Sequence, residues 1–179
     1  MASDGGLHKW QGTFGWLIST KKHVLFKCSG PVDGPLDTDS STRCELCGLA
    51  SSLLFLISLS RHWGLKHKCK VLWYCDSQAA IRRVQRFALH TSVYTVMSYD
   101  ADLISMISSF HRELRTSFRP VWVKGHQDSL ASYEKLSLSA RLNVDADFLA
   151  TRYRQRGRLK LVVRVAHEPT QQCSISING

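Results

Sequence analysis

The acidic residues that could do chemistry stand at four places along the chain: Asp4, Glu45, Asp76, and Asp147 with Asp145 as its rival. Asp76 ends an apolar, aromatic and β-branched run, Lys70-Val71-Leu72-Trp73-Tyr74-Cys75, and an Arg-rich helical stretch follows at once. Ligands of α/β sheets sit at the carboxyl ends of such strands. Asp4 stands beside Gly5 and Gly6 at an early strand, Glu45 in the first turn of a long helix, and Asp147 in the first turns of the last helix. Carboxylate oxygens brought together are ligands for hard divalent cations. Each residue also has a plainer reading. Asp76 or Ser77 would cap the helix beginning at Gln78. Thr42-Arg43-Cys44-Glu45 has capping-box spacing. Asp4-Gly5-Gly6 would make a turn, and Asp145 and Asp147 would complement a helix dipole. Four separate structural roles in one basic chain are the less economical account. His126, in Gly125-His126-Gln127-Asp128, reads by itself as a solvated loop histidine.

Composition narrows the class. A chain of 179 residues suits one domain. Its net charge of +10 and isoelectric point near 9.6 favour polyanionic partners such as nucleic acid or acidic membranes. Six cysteines and an N-terminus without a signal-peptide pattern predict reduced thiols in an intracellular compartment, cytoplasmic or nuclear, and no disulfide framework. Leu46 to Leu59 is apolar but broken by serines and Gly48, and it reads as a buried core helix shorter than a membrane span. Cys44 and Cys47 have no second pair at zinc-ribbon spacing, so they read as two buried helix cysteines.

The elements that must carry these residues follow from periodicity. Gly12 to Thr20 and His23 to Cys28, joined at Lys21-Lys22, predict an antiparallel hairpin. Ser29 to Ser41, with Gly30, Pro31, Gly34 and Pro35, reads as loop. Thr42 to His62 is helical, with Gly64 as its stop. A strand over 70–75, a helix over 78–87, a helix from Tyr99 to Thr116 and a strand from Pro120 to Lys124 come next. Ser129 to Arg141 is polar loop or short helix, and a last helix runs from Asn143 to about Gly157. That order predicts an α/β layer fold with mixed strand directions.

Taken together, Ser3-Asp4-Gly5-Gly6 followed by GTFGWLI (12–18), STRCELCGL (41–49), WYCDSQAAI (73–81), WVKGHQD (122–128) and LNVDADFLA (142–150) resemble the type 1 ribonuclease H family, most closely the version found in reverse-transcribing retroelements. The motifs occur in the family's order and span the chain up to about Arg156. The resemblance implies a ribonuclease H-like fold with a mixed five-stranded sheet. It implies Asp4, Glu45, Asp76 and Asp147 as metal-binding carboxylates, and His126 as the loop residue that helps turnover. Asp147 is preferred to Asp145 because Leu149-Ala150 follows it after one residue, as in the family's pattern. The implied activity is hydrolysis of the RNA strand of RNA–DNA hybrids, leaving a 5′-phosphate and a 3′-hydroxyl. The implied cofactor is a pair of Mg²⁺ ions, with Mn²⁺ as a substitute, which clamp the attacking and leaving oxygens. Asn143, one turn before Asp147, is placed to steady that carboxylate.

Residues 1–157 are expected to form this domain, and 158–179 a basic extension with one further strand before a disordered end. Arg152, Arg154, Arg156, Arg158, Lys160 and Arg164 read either as a solvated helix end or as phosphate contacts, with Arg82, Arg83, Arg86, Lys66, Lys68 and Lys70 as further candidates. Two departures from the family stand out. Its first aspartate sits well inside the central strand, so the leading half of that strand is expected to be missing here, as in a piece of a longer polyprotein. Residues 88–98 are neither long nor basic where strong hybrid binders carry a basic protrusion, so an upstream reverse transcriptase domain is expected to supply the grip. The alternative is a nucleic-acid-binding module on the same fold without catalysis.

Overall fold

Short turns fold the first three strands into an antiparallel meander. A computed structural model of the chain describes residues 1–9, 11–32, 40–64, 70–87, 100–114 and 117–156. Strand β1 spans Ala2–His8, β2 Gln11–Ser19 and β3 Val24–Pro31. β1 pairs with β2 from Ala2 opposite Leu17 to His8 opposite Gln11. β2 pairs with β3 from Thr13 opposite Pro31 to Ser19 opposite Val24. The Thr20 hydroxyl accepts from the amides of Lys22 and His23 and closes the turn predicted at the paired lysines. β3 carries on through Gly30 and Pro31, which the sequence reading placed in a loop. It is an edge strand, and a proline at its end costs no ladder bond on the solvent side.

Helix α1 spans Ser41–Trp63 and is the main core helix. Its cap is Ser40, whose side chain accepts from the Arg43 amide at 3.1 Å. Thr42 is already inside the helix, so the Thr42–Glu45 capping box does not form and Glu45 is left for other work. Gly64 ends the helix at φ 60°, a left-handed conformation that glycine adopts without a Cβ penalty. By length and composition α1 would pass as a membrane span, contrary to the shorter apolar stretch read from the sequence. Its apolar face is instead spent on the core: Leu46, Leu49, Leu53 and Ile57 pack with Trp73 and with Leu103, Ile104, Ile107 and Phe110. Each such side chain contributes on the order of 2 kcal/mol by leaving water.

Strand β4 spans Lys70–Cys75, helix α2 Gln78–Phe87, helix α3 Ala101–Leu114 and strand β5 Ser117–Trp122. β4 and β5 are parallel in register from Lys70–Ser117 to Cys75–Trp122. β5 starts three residues before Pro120, and that proline fits because β5 is the other edge of the sheet. Two 3₁₀ turns follow, Gln127–Ser129 and Tyr133–Lys135. Helix α4 spans Leu138–Gln155, capped by Ser137 accepting from the Ala140 amide. It thus begins before Asn143, and Asp145 and Asp147 lie about two turns in, too deep to complement the N-terminal dipole.

The result is a mixed five-stranded sheet in the order β3-β2-β1-β4-β5 with four α-helices among the described residues. Alternation along the strands sorts the helices into two layers. Met1, Trp73 and Cys75 belong to the cluster of α1, α2 and α3, while Ala2 and Leu17 pack with Leu142 and Ala146 of α4. The basic extension 158–179 and its extra strand, residues 88–98, Lys66, Lys68 and Cys69 lie outside the described residues.

Candidate active site

Register puts two of the acids side by side. Ala2 of β1 pairs in parallel with Tyr74 of β4. Asp4 lies two residues past Ala2 and Asp76 two past Tyr74, so both carboxylates leave the sheet on the face that α4 covers. β1 and β4 register only at that pair, and the strands open beyond it. Ser77, not Asp76, caps α2: its hydroxyl accepts from the Ala80 amide at 3.2 Å. Asp76 is therefore free of that duty.

Glu45 reaches the same opening from the other layer. A Cβ on Gly5 would collide with the backbone of Cys44 and Glu45, so only glycine lets α1 come this close to β1. The Gly5 amide then hydrogen-bonds the carboxyl groups of both Asp4 and Glu45. The Cys75 thiol also donates to Glu45 Oε2 at 3.6 Å. From below, Asn143 of α4 donates Nδ2 to Asp4 Oδ2 and to Asp76 Oδ2, each at 3.4 Å. This corrects the sequence reading, in which Asn143 steadied Asp147. Asp147 itself is half-buried on α4, near enough for its charge to act on Asp4. Asp4, Glu45, Asp76 and Asp147 are thus brought together.

Asp145 is turned to another task. It accepts the Tyr133 hydroxyl at 2.9 Å and ties the second 3₁₀ turn to α4. His126 is exposed in the loop that follows β5, with φ 50°. Its carbonyl accepts from the Ser129 hydroxyl at 2.7 Å. The preceding Gly125 lies directly against the Asp76 carboxylate, which a side chain there would push aside. Trp122 completes this side by donating its indole N–H to the Asp76 carbonyl at 2.9 Å.

The electrostatics of the cluster are those of like charges out of water. Asp4 is pushed up from 3.8 to about 8, first by burial, then by the charges of Asp76 and Asp147. Glu45 is raised well above the usual carboxylate range by complete burial, then by Asp4 and Asp76. Burial, then the Glu45 charge, raises the Cys75 thiol and keeps it a donor. Ligand atoms of Glu45, Cys75 and Asp76 lie within 4.8 Å of one another, and the carboxylates supply hard oxygen donors.

The arginines singled out from sequence fare differently. Arg82 is exposed and donates to Gln78 at 3.2 Å. Arg83 is paired with Asp100, so its charge is spent inside the fold. Arg152 lies 5.8 Å from the Phe148 ring centre, and Arg154 passes Gly6 at the end of β1. Arg156 is exposed at the end of α4. Gly125, Trp122, Cys75 and the two-way bond of Asn143 were not recognised from sequence. All four residues lie inside quoted motifs, but nothing in the motifs shows which contacts they make.

No protein-family model matches the chain, and no curated protein matches its sequence. Solved structures do match. The chain is similar to LC11 ribonuclease H1 in complex with an RNA/DNA hybrid, with 15% identity and a TM-score of 0.60 over 84% of this chain and 92% of that one. LC11 ribonuclease H1 was isolated from compost by a metagenomic approach, and a second structure of it gives a TM-score of 0.59. Ribonuclease H1 of the halophilic archaeon Halobacterium salinarum matches with 12% identity and a TM-score of 0.57, over 87% of this chain and 96% of that one. The fold is that of ribonuclease H. In this ribonuclease H fold the carboxylate cluster sits where β1 and β4 part, at the carboxyl ends of the two strands.

Proposed function

We propose that this protein is a Mg²⁺-dependent endonuclease that hydrolyses the RNA strand of RNA–DNA hybrids. The observation that carries the reading is the convergence of Asp4, Glu45, Asp76 and Asp147 from β1, α1, the end of β4 and α4. Solved ribonucleases H1 of the same fold, one of them holding an RNA/DNA hybrid, support it. The four acids would hold two Mg²⁺ ions, with Mn²⁺ as a substitute. Bound there, the ions supply an activated water and charge stabilisation for the leaving oxygen.

The chain's own residues do the rest. The crowded carboxylates are destabilised without a cation and are set to take one up. Gly125 lets the loop that carries His126 come against Asp76. His126, one residue on from Gly125, is the residue assigned to assist product departure, as the motif match to the family suggests. Arg82, Arg152, Arg154 and Arg156 supply positive charge for the phosphates, and the net +10 raises the local concentration of a polyanion. Six cysteines in a chain without a disulfide framework in its spacing fit a reducing compartment, cytoplasmic or nuclear. The close motif match to retroelement enzymes supports such an origin, with an upstream reverse transcriptase domain adding grip on the hybrid.

The test is cleavage of an end-labelled hybrid in Mg²⁺, in EDTA, and with a DNA duplex as control. Hybrid cut only with Mg²⁺, and duplex spared, is the expected result. A protein that binds hybrid but cuts nothing at any Mg²⁺ or Mn²⁺ concentration is a binding module.

A further inference from the structure

We propose that Asn143 is a positioning residue of the carboxylate site, whose amide braces Asp4 and Asp76 and whose carbonyl oxygen serves a ligand water of the divalent cation. The inference rests on the metal-site reading above and deepens it. Asn143 is 2% exposed, and its Nδ2 stands 3.4 Å from one oxygen of each aspartate. No other described residue links those two strands' acids by a neutral donor. An amide donor is the group that can do this. A lysine or arginine there would neutralise the acids and compete with the cation, and an apolar side chain would leave both oxygens to repel one another.

The other half of the same side chain is unused. Asn143 Oδ1 is buried and has no hydrogen-bond partner among the described residues. Buried amide oxygens without partners are rare in native folds, and each calls for an explanation. Turning the amide over does not supply one, because Oδ1 would then face two carboxylates. The oxygen sits on a side chain whose nitrogen is already committed to the acids. A hard cation bound by carboxylates keeps several waters, and waters are donors. Partners that stand behind metal ligands in this way typically matter about 10–100-fold in metal affinity or activity.

The experiment compares parent, Asn143→Leu and Asn143→Asp, with Mn²⁺ as the probe. Mn²⁺ affinity is read by titration calorimetry of the metal-free full chain, and kcat and KM on a hybrid are read separately. Asn143→Leu keeps the volume and removes both polar atoms. It is expected to bind Mn²⁺ about tenfold or more weakly, with kcat lowered and KM for the hybrid unchanged, and its urea midpoint in EDTA falls because Asp4 and Asp76 lose their shared donor. A purely structural role would move the urea midpoint and leave Mn²⁺ affinity alone, and that pattern overturns the inference. Asn143→Asp serves if the leucine variant does not fold. It adds a charge to the cluster, so Mn²⁺ should raise its urea midpoint by more than it raises the parent's. An equal rise overturns the inference. A parent that takes up no Mn²⁺ overturns the metal-site reading and this inference with it, whereas parent-like Mn²⁺ binding by Asn143→Leu overturns this inference alone.

Discussion

Arg43 and Glu45 stand two residues apart near the start of α1, both buried, and meet opposite company. Arg43 places Nη2 2.7 Å from Asp102 Oδ2 and Nη1 3.2 Å from Asp100 Oδ1, and Arg83 of α2 pairs with Asp100 as well. That knot joins α1, α2 and α3, and its charges balance. Glu45, on another face of the helix, is set against Asp4 and Asp76, and among the described residues no cationic side chain is bonded to them. The paired knot holds the helices, whereas the carboxylate cluster gathers charge of one sign. Buried charges of one sign are costly unless compensated, so the cluster should cost stability where the knot adds it.

Removing one charge from each region should separate the two. Asp76→Asn is expected to lower Mg²⁺-dependent cleavage by about three orders of magnitude, the upper end for loss of one preorganised electrostatic group. Its urea midpoint should be equal or higher, because a repulsion is relieved and Ser77 still caps α2. Activity that survives, or a fall in stability, would put Asp76 on the structural side of the comparison. The mirror experiment is Arg43→Ala. It strands Asp100, whose side chain is 4% exposed, and should cost about 3–5 kcal/mol in urea unfolding. A cost within experimental error would mean that Arg83 alone satisfies Asp100.

The same contrast predicts opposite responses to pH. Asp4 keeps its proton to about pH 8 in the folded chain and releases it near 3.8 when unfolded. Its contribution to stability is thus complete below about pH 4 and lost as pH rises through its folded value. Asp102 runs the other way. Burial would raise it, but the hydrogen bond and charge of Arg43 outweigh burial and hold it below the usual range. Its contribution is present above its ordinary 3.8 and lost as pH falls through the folded value. In EDTA, the urea midpoint of the parent should decline relative to Asp4→Asn between about pH 4 and pH 8. Saturating Mn²⁺ should remove that decline. Parallel curves for the two proteins in EDTA would contradict the crowding.

How much of this was legible beforehand depended on whether the signal was local. β4 and α2 were readable from Lys70 to Phe87, because an apolar run ending in Asp-Ser before a helical pattern is a local signal. The α/β class with mixed strand directions followed from such segments, and the five-stranded sheet from the resemblance that the motifs carry. The start of α4 was not, because Leu138 and Ser139 look like loop until Ser137 is known to cap. The β3 edge through Pro31 and the Pro120 inside β5 were misread because proline argues against a strand unless the strand is known to be an edge. At the site, the acids could be named from their motifs, but their company could not. That Gly5 admits Glu45, that Gly125 rests on Asp76, and that Asn143 spans Asp4 and Asp76 are contacts between residues far apart in the chain. Single-sequence periodicity carries no record of them. The Arg43–Asp100 knot was hidden for the same reason.

The smallest effect concerns the last helix. Asp145 and Asp147 differ by two positions and so point to different sides of α4. Asp147 acts on Asp4, while Asp145 holds Tyr133. Asp147→Asn should impair cleavage strongly, for the reason given for Asp76. Asp145→Asn should do so only severalfold at most, since an asparagine oxygen still accepts the Tyr133 hydroxyl and a neutral hydrogen bond of this exposed kind is worth about 1 kcal/mol. Whatever effect remains should act through the His126 loop, because Tyr133 anchors the segment that continues from it. Tyr133→Phe should then reproduce the Asp145→Asn phenotype, and the double variant should be no worse than either single one. Additive losses would mean that the two residues act separately. A loss at Asp145 that exceeds the loss at Asp147 would exchange their roles and place Asp145 among the carboxylates of the site.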